Sequence, residues 1–243
     1  MAGLMVNSGI IARMRLDRFL TQQTRESGKA VRQWLLAGRV QVNERVCRDG
    51  SLQVEPMQKI SLDERILQDQ TARYYMLHKP QGVVSATIDE KHQTVLDLMP
   101  PALRADLHIA GRLDLNTTGL MLITNDGRWS RKVTQPETRI PKVYLVETED
   151  KIEAEYADVF RRGIYFAYED LTTLPAQLEI LSDHRAKLTL YEGRYHQVKR
   201  MFGFFDNKVV GLHREQIGAL EMDAQLNAGD YRLLTNDEVK LFL

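Results

Sequence analysis

The sequence is poor in the two side chains that most often bind transition metals or form covalent links. Cys47 is the single cysteine among 243 residues, so no disulfide can form within the chain. The histidines are scattered without the ligand spacing of a zinc site, and they stand at positions 78, 92, 108, 184, 196 and 213. A nucleobase deaminase is excluded because its zinc signature needs more than one cysteine. We therefore expect chemistry that uses neither a metal nor another cofactor.

Long apolar runs are missing as well. No stretch approaches the roughly 18 apolar residues that a membrane span requires. The first residues lack the charged start and apolar stretch of a signal peptide. We expect a cytoplasmic protein that does not enter a membrane. The length allows one large domain, or a small domain followed by a medium one.

Net charge is absent too, because 33 basic residues balance 33 acidic ones. A protein that binds a polyanion usually carries a positive excess, but here the charges are segregated. The segment from Arg13 to Arg48 has nine basic residues against three acidic ones, whereas residues 147–158 have six acids and one lysine. Such segregation can give one face a positive potential that attracts RNA, although solvated surface helices produce the same pattern.

The basic segment also has a recognisable hydrophobic pattern. Leu16, Phe19 and Leu20 recur at helical spacing, and a second set from Val31 to Leu35 repeats the pattern before Gly38. The following GRVQVNERV alternates as a short hairpin does. We predict two short helices on a small sheet, with these basic residues left outside: Arg15, Arg18, Lys29, Arg32 and Arg39.

Beyond a polar stretch at 63–73, which we interpret as a linker, strands and helices follow in no regular βαβ order. This favours an α+β domain built on a largely antiparallel mixed sheet with flanking helices. The expected strands are 74–78, 120–124, 142–148, 176–181, 186–191 and 208–213. The expected helices are 151–162, 195–205 and a last one opened by a capping box of Thr235 and Glu238.

One carboxylate stands out at the start of an apolar run. Asp114 lies in the polar segment GRLDLNTTGL, residues 111–120, which leads directly into residues 120–123, LMLI. A loop acid of this kind commonly bonds its own backbone and sets a turn. The same position would also hold an acid firmly while leaving it open to a cleft.

Further segments give this acid a context. They are YYMLHKPQGVVSA at 74–86, KVYLVE at 142–147, EGRYHQVKRM at 192–201, VVGLHREQIG at 209–218 and AGDYRLLT at 228–235. In this order and spacing they resemble the pseudouridine synthases. Tyr195 and Lys199 favour the branch that acts on the ribosomal small subunit, since the large-subunit relatives usually carry Asn and Arg at the matching positions.

The N-terminal segment resembles the S4 RNA-binding module. Gly28-Lys29 stands where the module usually has Ser-Arg, and Glu44-Arg45 replaces a common glycine. Lys in place of Arg keeps the charge and loses the planar fork. The resemblance implies an extension at 1–13, the module at 14–62, the linker at 63–73 and a synthase domain at 74–243.

The resemblance also implies a reaction. The family isomerises uridine to pseudouridine, and this branch modifies uridine 516 of 16S rRNA. We therefore expect a monomer whose partner is 16S rRNA or a small-subunit assembly intermediate. Asp114 matches the catalytic aspartate, and either of two routes fits a carboxylate: attack on the sugar carbon, or removal of the neighbouring sugar proton to give a glycal.

Other residues take roles by the same resemblance. Lys199 would pair with Asp114 and keep it ionised, although by position alone it is a solvated helix lysine. Tyr144 would stack on the target base, which must leave the helical stack, and its hydroxyl is a candidate for removing the carbon 5 proton. By position alone Tyr144 equally fits a cross-strand aromatic. Arg112 would contact the target phosphate or fill the vacated space, and Leu212 would line the pocket.

Two histidines are interpreted as structural. His196, at a helix start, is expected to cap the helix or bond backbone rather than act as a base. His78-Lys79-Pro80 is expected to end a strand beside the cleft, with Gly82 allowing the turn. Two other functions stay open from the residues alone: an RNA-binding protein without turnover, and a glycosidase that releases free uracil.

Overall fold

A computed structural model describes residues 14–243, so the predicted extension at 1–13 lies outside the described residues. The chain divides into two compact units, one ending at Arg73 and the other comprising Tyr74–Leu243. Over the described part of the chain, no helix has both the length and the apolar character to cross a membrane.

The first unit contains two helices and two small sheets. Its elements are β1 (Met14–Arg15), α1 (Leu16–Thr24), α2 (Gly28–Leu36), β2 (Val40–Val42), β3 (Arg45–Val46), β4 (Gln53–Val54), β5 (Lys59–Leu62) and β6 (Arg65–Asp69). The predicted helices and the β2–β3 hairpin are confirmed. Both helices bury one apolar face, α1 through Leu16, Phe19 and Leu20 and α2 through Val31 and Leu35.

The polar stretch that we interpreted as a linker is in part a strand. Residues 65–69 form β6, which pairs antiparallel with β5 at the edge of the four-stranded sheet β3-β2-β5-β6. Buried Gln68 donates its side-chain amide to the carbonyls of Glu55 and Gln58 at 2.9 and 2.8 Å. An edge strand has one side open to water, so its residues are largely polar and the sequence pattern does not separate it from a linker.

The second unit is built on one large mixed sheet. The strands of the unit are β7 (Tyr74–Lys79), β8 (His108–Ala110), β9 (Thr118–Thr124), β10 (Lys142–Thr148), β11 (Tyr165–Phe166), β12 (Leu171–Thr172), β13 (Gln177–Ser182), β14 (Arg185–Leu190), β15 (Val209–Ile217), β16 (Leu220–Glu221) and β17 (Tyr231–Leu233). Of these, β11 and β12 form a separate two-stranded sheet. The helices of the unit are α3 (Pro101–Arg104), α4 (Gly127–Thr134), α5 (Glu155–Arg162), α6 (Gln197–Gly203) and α7 (Asn236–Lys240).

The sheet runs β13-β14-β10-β15-β9-β7-β17, with β8 added to β9 and β16 added to β15. Every pairing is antiparallel except β15 with β9. The predicted α+β class with a largely antiparallel mixed sheet is confirmed. At the parallel pairing the backbones approach closely: Gly119 has φ 108°, and a Cβ there would collide with the backbone of Arg214.

Several element ends differ from the sequence prediction, by four residues at most, and helix α6 spans Gln197–Gly203 rather than 195–205. Strand β15 continues to Ile217, four residues past the predicted end. The segment is polar in sequence, but Arg214 is buried there and donates a hydrogen bond to a carbonyl group. Helix α5 begins at Glu155 rather than at 151. Helix α4 was not predicted; Asp126 caps it by accepting hydrogen bonds from the backbone N–H groups of Arg128 and Trp129.

Sheet register determines which side chains share a face around the centre of β10. Tyr144 is opposite Leu188 of β14 and Arg214 of β15. Lys142 lies two residues before Tyr144 and therefore points to the same face. This face forms the floor of the cleft described next.

Candidate active site

The loop between β8 and β9 holds Asp114. The Ser85 hydroxyl accepts a hydrogen bond from the N–H of Leu113 at 3.0 Å and donates one to its carbonyl at 2.6 Å, which fixes the residue before the acid. The carbonyl of Asp114 accepts the N–H of Thr117 at 3.0 Å and closes a turn. The backbone is therefore fixed, while the Asp114 side chain is 29% exposed.

A buried lysine supports this loop from behind. The Lys79 ammonium donates hydrogen bonds to the carbonyls of Pro80, Leu115 and Thr117 at 2.9, 3.1 and 2.9 Å. Burial lowers the pKa of Lys79 to about 8, against the opposing effect of the nearby Asp114 carboxylate. These contacts bear out the structural role predicted for the strand end.

Two side chains from the start of α6 reach Asp114. Lys199 Nζ lies 3.9 Å from one carboxylate oxygen, and His196 Nε2 lies 3.5 Å from the other. The pairing of Lys199 with Asp114 that the sequence predicted is thus present as a contact. Residues three apart at a helix start project to the same side, which explains why both side chains reach the acid.

The prediction that the His196 side chain caps the helix was wrong, whereas the expectation that it does not act as a base stays a prediction. Its side chain makes no capping hydrogen bond to α6, and the ring instead faces Asp114. The residue is the N-cap in a left-handed conformation with φ 48°. Tyr195 stacks on its ring with centroids 3.9 Å apart and is itself 75% exposed, so the two rings extend outward from the acid.

The turn that opens α6 is organised by a buried carboxylate. Glu192 accepts hydrogen bonds from the backbone N–H of Leu174 at 2.9 Å, from the amide of Gln197 at 2.8 Å and from Arg194 Nε at 2.8 Å. These bonds fix the chain just before His196 and Lys199. Sequence reasoning missed Glu192, since an acid before a glycine reads as an ordinary turn.

Arg200, next to Lys199, turns elsewhere. Its guanidinium forms a bidentate pair with Glu169, both bonds at 2.5 Å, and lies 3.7 Å from the ring centroid of Phe166. The Arg200 hydrogen bonds hold the pKa of the Glu169 carboxyl below its usual range. Lys199 and Arg200 are therefore distinct in structure: the first contacts Asp114, and the second ties α6 to the β11–β12 segment.

Asp114, His196 and Lys199 line a cleft of about 610 Å³. Five of the predicted site residues line it, namely Arg112, Asp114, Tyr144, Lys199 and Leu212. Two cationic residues that sequence reasoning missed, Lys142 and Arg214, line it as well. Strand alternation in KVY was a signal for Lys142, because it places Lys142 on the face of Tyr144.

The first unit has a separate basic groove. Arg15, Arg18, Lys29 and Arg32 line it, together with Arg48, which was not predicted. Arg39 was predicted to join them and does not line this groove; its guanidinium forms a bidentate pair with Asp63 and lies 5.8 Å from the ring of Trp34. Its partner is an acid of the segment that we had interpreted as linker.

Between residues 14 and 243, no group of three or more His, Cys, Asp or Glu side chains is arranged to hold a metal ion. The ionisable groups that line the cleft include the Asp114 carboxylate, the His196 imidazole, the Tyr144 phenol and the ammonium group of Lys199.

Comparison with known proteins shows which family the chain resembles. The family model described as RNA pseudouridylate synthase matches residues 73–203, and the S4 domain model matches residues 14–60. The ribosomal small subunit pseudouridine synthase A of Pseudomonas aeruginosa is 56% identical, over 93% of this chain and 99% of that protein. The protein of the same name in Escherichia coli strain K12 is 42% identical, over 93% of this chain and 98% of that protein.

A solved structure agrees with the sequence relatives. The crystal structure of a pseudouridylate synthase superposes on this chain with a TM-score of 0.70 at 38% sequence identity. The match covers 95% of this chain and 100% of that one. Identity at this level over nearly the whole length, with the acid, the tyrosine and the lysine gathered in one cleft, shows that the chain belongs to the RNA pseudouridylate synthase family, alongside the proteins named ribosomal small subunit pseudouridine synthase A.

Proposed function

We propose that this protein isomerises one uridine of small-subunit 16S rRNA to pseudouridine, and that the target is uridine 516. The observation that carries the chemistry is the cleft in which Asp114 faces His196 and Lys199 beside Tyr144. The names of the relatives support the choice of RNA. The protein would act in the cytoplasm as a monomer, and its substrate would be rRNA or an assembly intermediate.

Asp114 starts the reaction. The bond between sugar carbon 1′ and uracil nitrogen 1 breaks, uracil turns, and a bond forms from carbon 1′ to carbon 5. Carbon 5 then loses its proton while nitrogen 1 gains one, and the carboxylate is regenerated. The carboxylate either attacks carbon 1′ or removes the neighbouring sugar proton, and both routes need it ionised. Lys199 at 3.9 Å and His196 at 3.5 Å face this carboxylate.

Tyr144 holds the base. Its ring lies on the floor of the cleft and is only partly buried, with Leu212 lining the same space. A uracil rotated out of the RNA stack loses stacking energy, and an aromatic face offsets about 1–3 kcal/mol of that loss. The Tyr144 hydroxyl is the group we assign to removal of the carbon 5 proton.

The basic groove of the first unit binds the rRNA backbone. Arg15, Arg18, Lys29 and Arg32 line this groove and supply its positive charge. Contacts of this kind position an RNA and make its affinity depend on salt. In the second unit Arg112 is exposed at the cleft, where it would contact the phosphate of the target nucleotide.

The test uses 16S rRNA from a strain that lacks this activity. Wild-type protein should convert one uridine, at position 516, to pseudouridine, as read by mass spectrometry of nuclease fragments. Asp114→Asn should bind the same RNA without conversion. Asp183→Asn, which removes an exposed acid in the β13–β14 turn, is the matched control and should be fully active.

The same assay separates the rival functions. Release of free uracil without pseudouridine would identify a glycosidase. Binding without either product would identify a non-catalytic RNA-binding protein, and conversion at another uridine would overturn the choice of target.

A further inference from the structure

Among the residues that the structure describes, two cationic side chains on the cleft floor have no acidic partner. Lys142 and Tyr144 are two residues apart on β10, and Arg214 of β15 is directly opposite Tyr144. All three line the cleft and share one face of the sheet. The tyrosine assigned to the base is therefore next to both positively charged residues: Lys142 along its own strand and Arg214 across the sheet.

Arg214 is a buried cation held only by carbonyl groups. It is 3% exposed, its Nε donates to the carbonyl of Leu120 at 2.8 Å, and its Nη1 lies 3.4 Å from the carbonyl of Arg112. Its Nη2 has no hydrogen-bond partner in the described part of the chain. A buried guanidinium is usually matched by a carboxylate, because an unpaired buried charge is costly.

Lys142 is half-buried in the same cleft, and within residues 14–243 no carboxylate lies within ion-pairing distance of it. The acids of the cleft are already engaged: Asp114 faces His196 and Lys199, and Glu192 is held by three donors. Burial, and then the charge of Arg214, lower the pKa of Lys142. A more acidic ammonium donates a stronger hydrogen bond.

We propose that Lys142 is a catalytic residue that donates a hydrogen bond to a carbonyl oxygen of the departing uracil, with Arg214 as the fixed positive charge behind it. This assignment rests on the proposed function. When the bond from carbon 1′ to nitrogen 1 breaks, its electron pair leaves with uracil and is delocalised onto the two carbonyl oxygens. Lys142 stabilises that negative charge and keeps its proton, so it is unchanged when carbon 5 rejoins the sugar.

Uracil fits this position better than a backbone phosphate does. Lys142 shares its strand face with the ring on which the base would stack, whereas exposed Arg112 is available to a phosphate. A fixed donor aimed at charge that appears only in the transition state accelerates the reaction without tightening substrate binding. A phosphate contact would act on binding instead.

The experiment compares Lys142→Met, Lys142→Gln and Lys142→Arg in the full-length protein. Lys187→Met is the matched control, since Lys187 lies on the adjacent strand β14 opposite Leu145, on the other face of the sheet, and pairs with Glu215. Steady-state kinetics are measured on 16S rRNA. Single-turnover consumption is measured on short RNA that carries either uridine or 5-fluorouridine at the target, and circular dichroism verifies folding.

We expect Lys142→Met and Lys142→Gln to lower kcat about 100-fold with KM unchanged, the loss typical of removing one donor to a developing anion. Fluorine makes uracil a better leaving group, so the loss should shrink at least about threefold with 5-fluorouridine. Lys142→Arg should recover much of the rate, and Lys187→Met should match wild type.

Equal losses with uridine and 5-fluorouridine would overturn the proposal. So would a raised KM with a shallower salt dependence, which would identify a phosphate contact. If Lys142→Met and Lys142→Gln do not fold, a Lys142→Arg variant with wild-type kinetics supports the proposal, and one as inactive as Asp114→Asn overturns it. Failure of the proposed function is distinct, because wild-type protein itself would then form no pseudouridine.

Discussion

The two units use positive charge in opposite ways. In the first unit the Arg15 and Arg39 side chains are 57% and 46% exposed, and their acidic partners are similarly open to water. In the second unit Lys199 and Asp114 are 36% and 29% exposed, and Arg214 is 3% exposed. Exposed charges interact weakly and adapt to many partners, whereas partly buried charges act strongly on one group. The first arrangement suits the backbone of an RNA, and the second suits a reacting atom.

If this contrast is correct, the largest effect comes from the acid in the cleft. Asp114→Asn should leave folding and RNA affinity nearly intact while isomerisation falls below about one hundredth of the wild-type rate, because the amide keeps the shape and loses the charge. Pseudouridine formation and filter binding measure the two quantities. A variant that retained more activity would remove Asp114 from the mechanism.

The next effect separates Lys199 from its neighbour. Lys199→Met should cost about 100-fold at pH 7 and move the acid limb of the pH–rate profile upward, since a carboxylate that loses its cation protonates more readily. Activity should partly recover at higher pH. Lys199→Arg should keep substantial activity, because it restores the charge. An unchanged pH profile in Lys199→Met would contradict the pairing of Lys199 with Asp114.

Arg200→Met is the control for that experiment. The Arg200 guanidinium is engaged by Glu169 and packs on Phe166. We expect lower stability and a pH–rate profile of wild-type shape. A shifted acid limb in Arg200→Met would mean that Arg200, not Lys199, sustains the charge of Asp114.

A smaller effect should follow from neutralising the groove of the first unit. Replacing Arg15, Arg18, Lys29 and Arg32 with alanine should raise KM about tenfold and flatten its salt dependence while kcat at saturating RNA stays close to wild type. Removing the whole unit should act in the same direction, and the cut belongs after Arg73 because β6 is part of that unit's sheet. Arg39→Ala should change KM less, since Asp63 already engages that side chain. A fall in kcat of the same size as the rise in KM would contradict a purely positioning role.

Helical periodicity was enough to predict the first unit's helices, since apolar spacing there reflects packing directly. The family resemblance carried by the order of motifs was enough to group Asp114, Tyr144 and Lys199, which line one cleft. What failed depended on contacts between distant segments. His196 reaches Asp114 across 82 positions of sequence, and the buried state of Arg214 depends on carbonyls of another strand. A polar residue type in the sequence does not reveal burial of the kind seen at Arg214.

The smallest predicted effect concerns a pair that serves stability alone. Arg232 forms a bidentate pair with Glu238, both bonds at 2.8 Å, and these hydrogen bonds lower the pKa of Glu238 from 4.5 to about 2. A carboxyl whose pKa is depressed in the folded protein stabilises it above the unfolded value of 4.5, and that contribution fades as the pH falls toward 2. Allowing for solvent screening, Glu238→Gln should lower the free energy of unfolding by about 1–2 kcal/mol at pH 7 and lower Tm by about 2–6 °C. The difference from wild type should narrow below pH 4.5.

Asp237→Asn, which removes a neighbouring acid with 92% exposure, should leave Tm unchanged. Calorimetry across pH measures both variants, and both should isomerise uridine at the wild-type rate; a rate defect in Glu238→Gln would show that stabilising and catalytic charges are not separable in this unit.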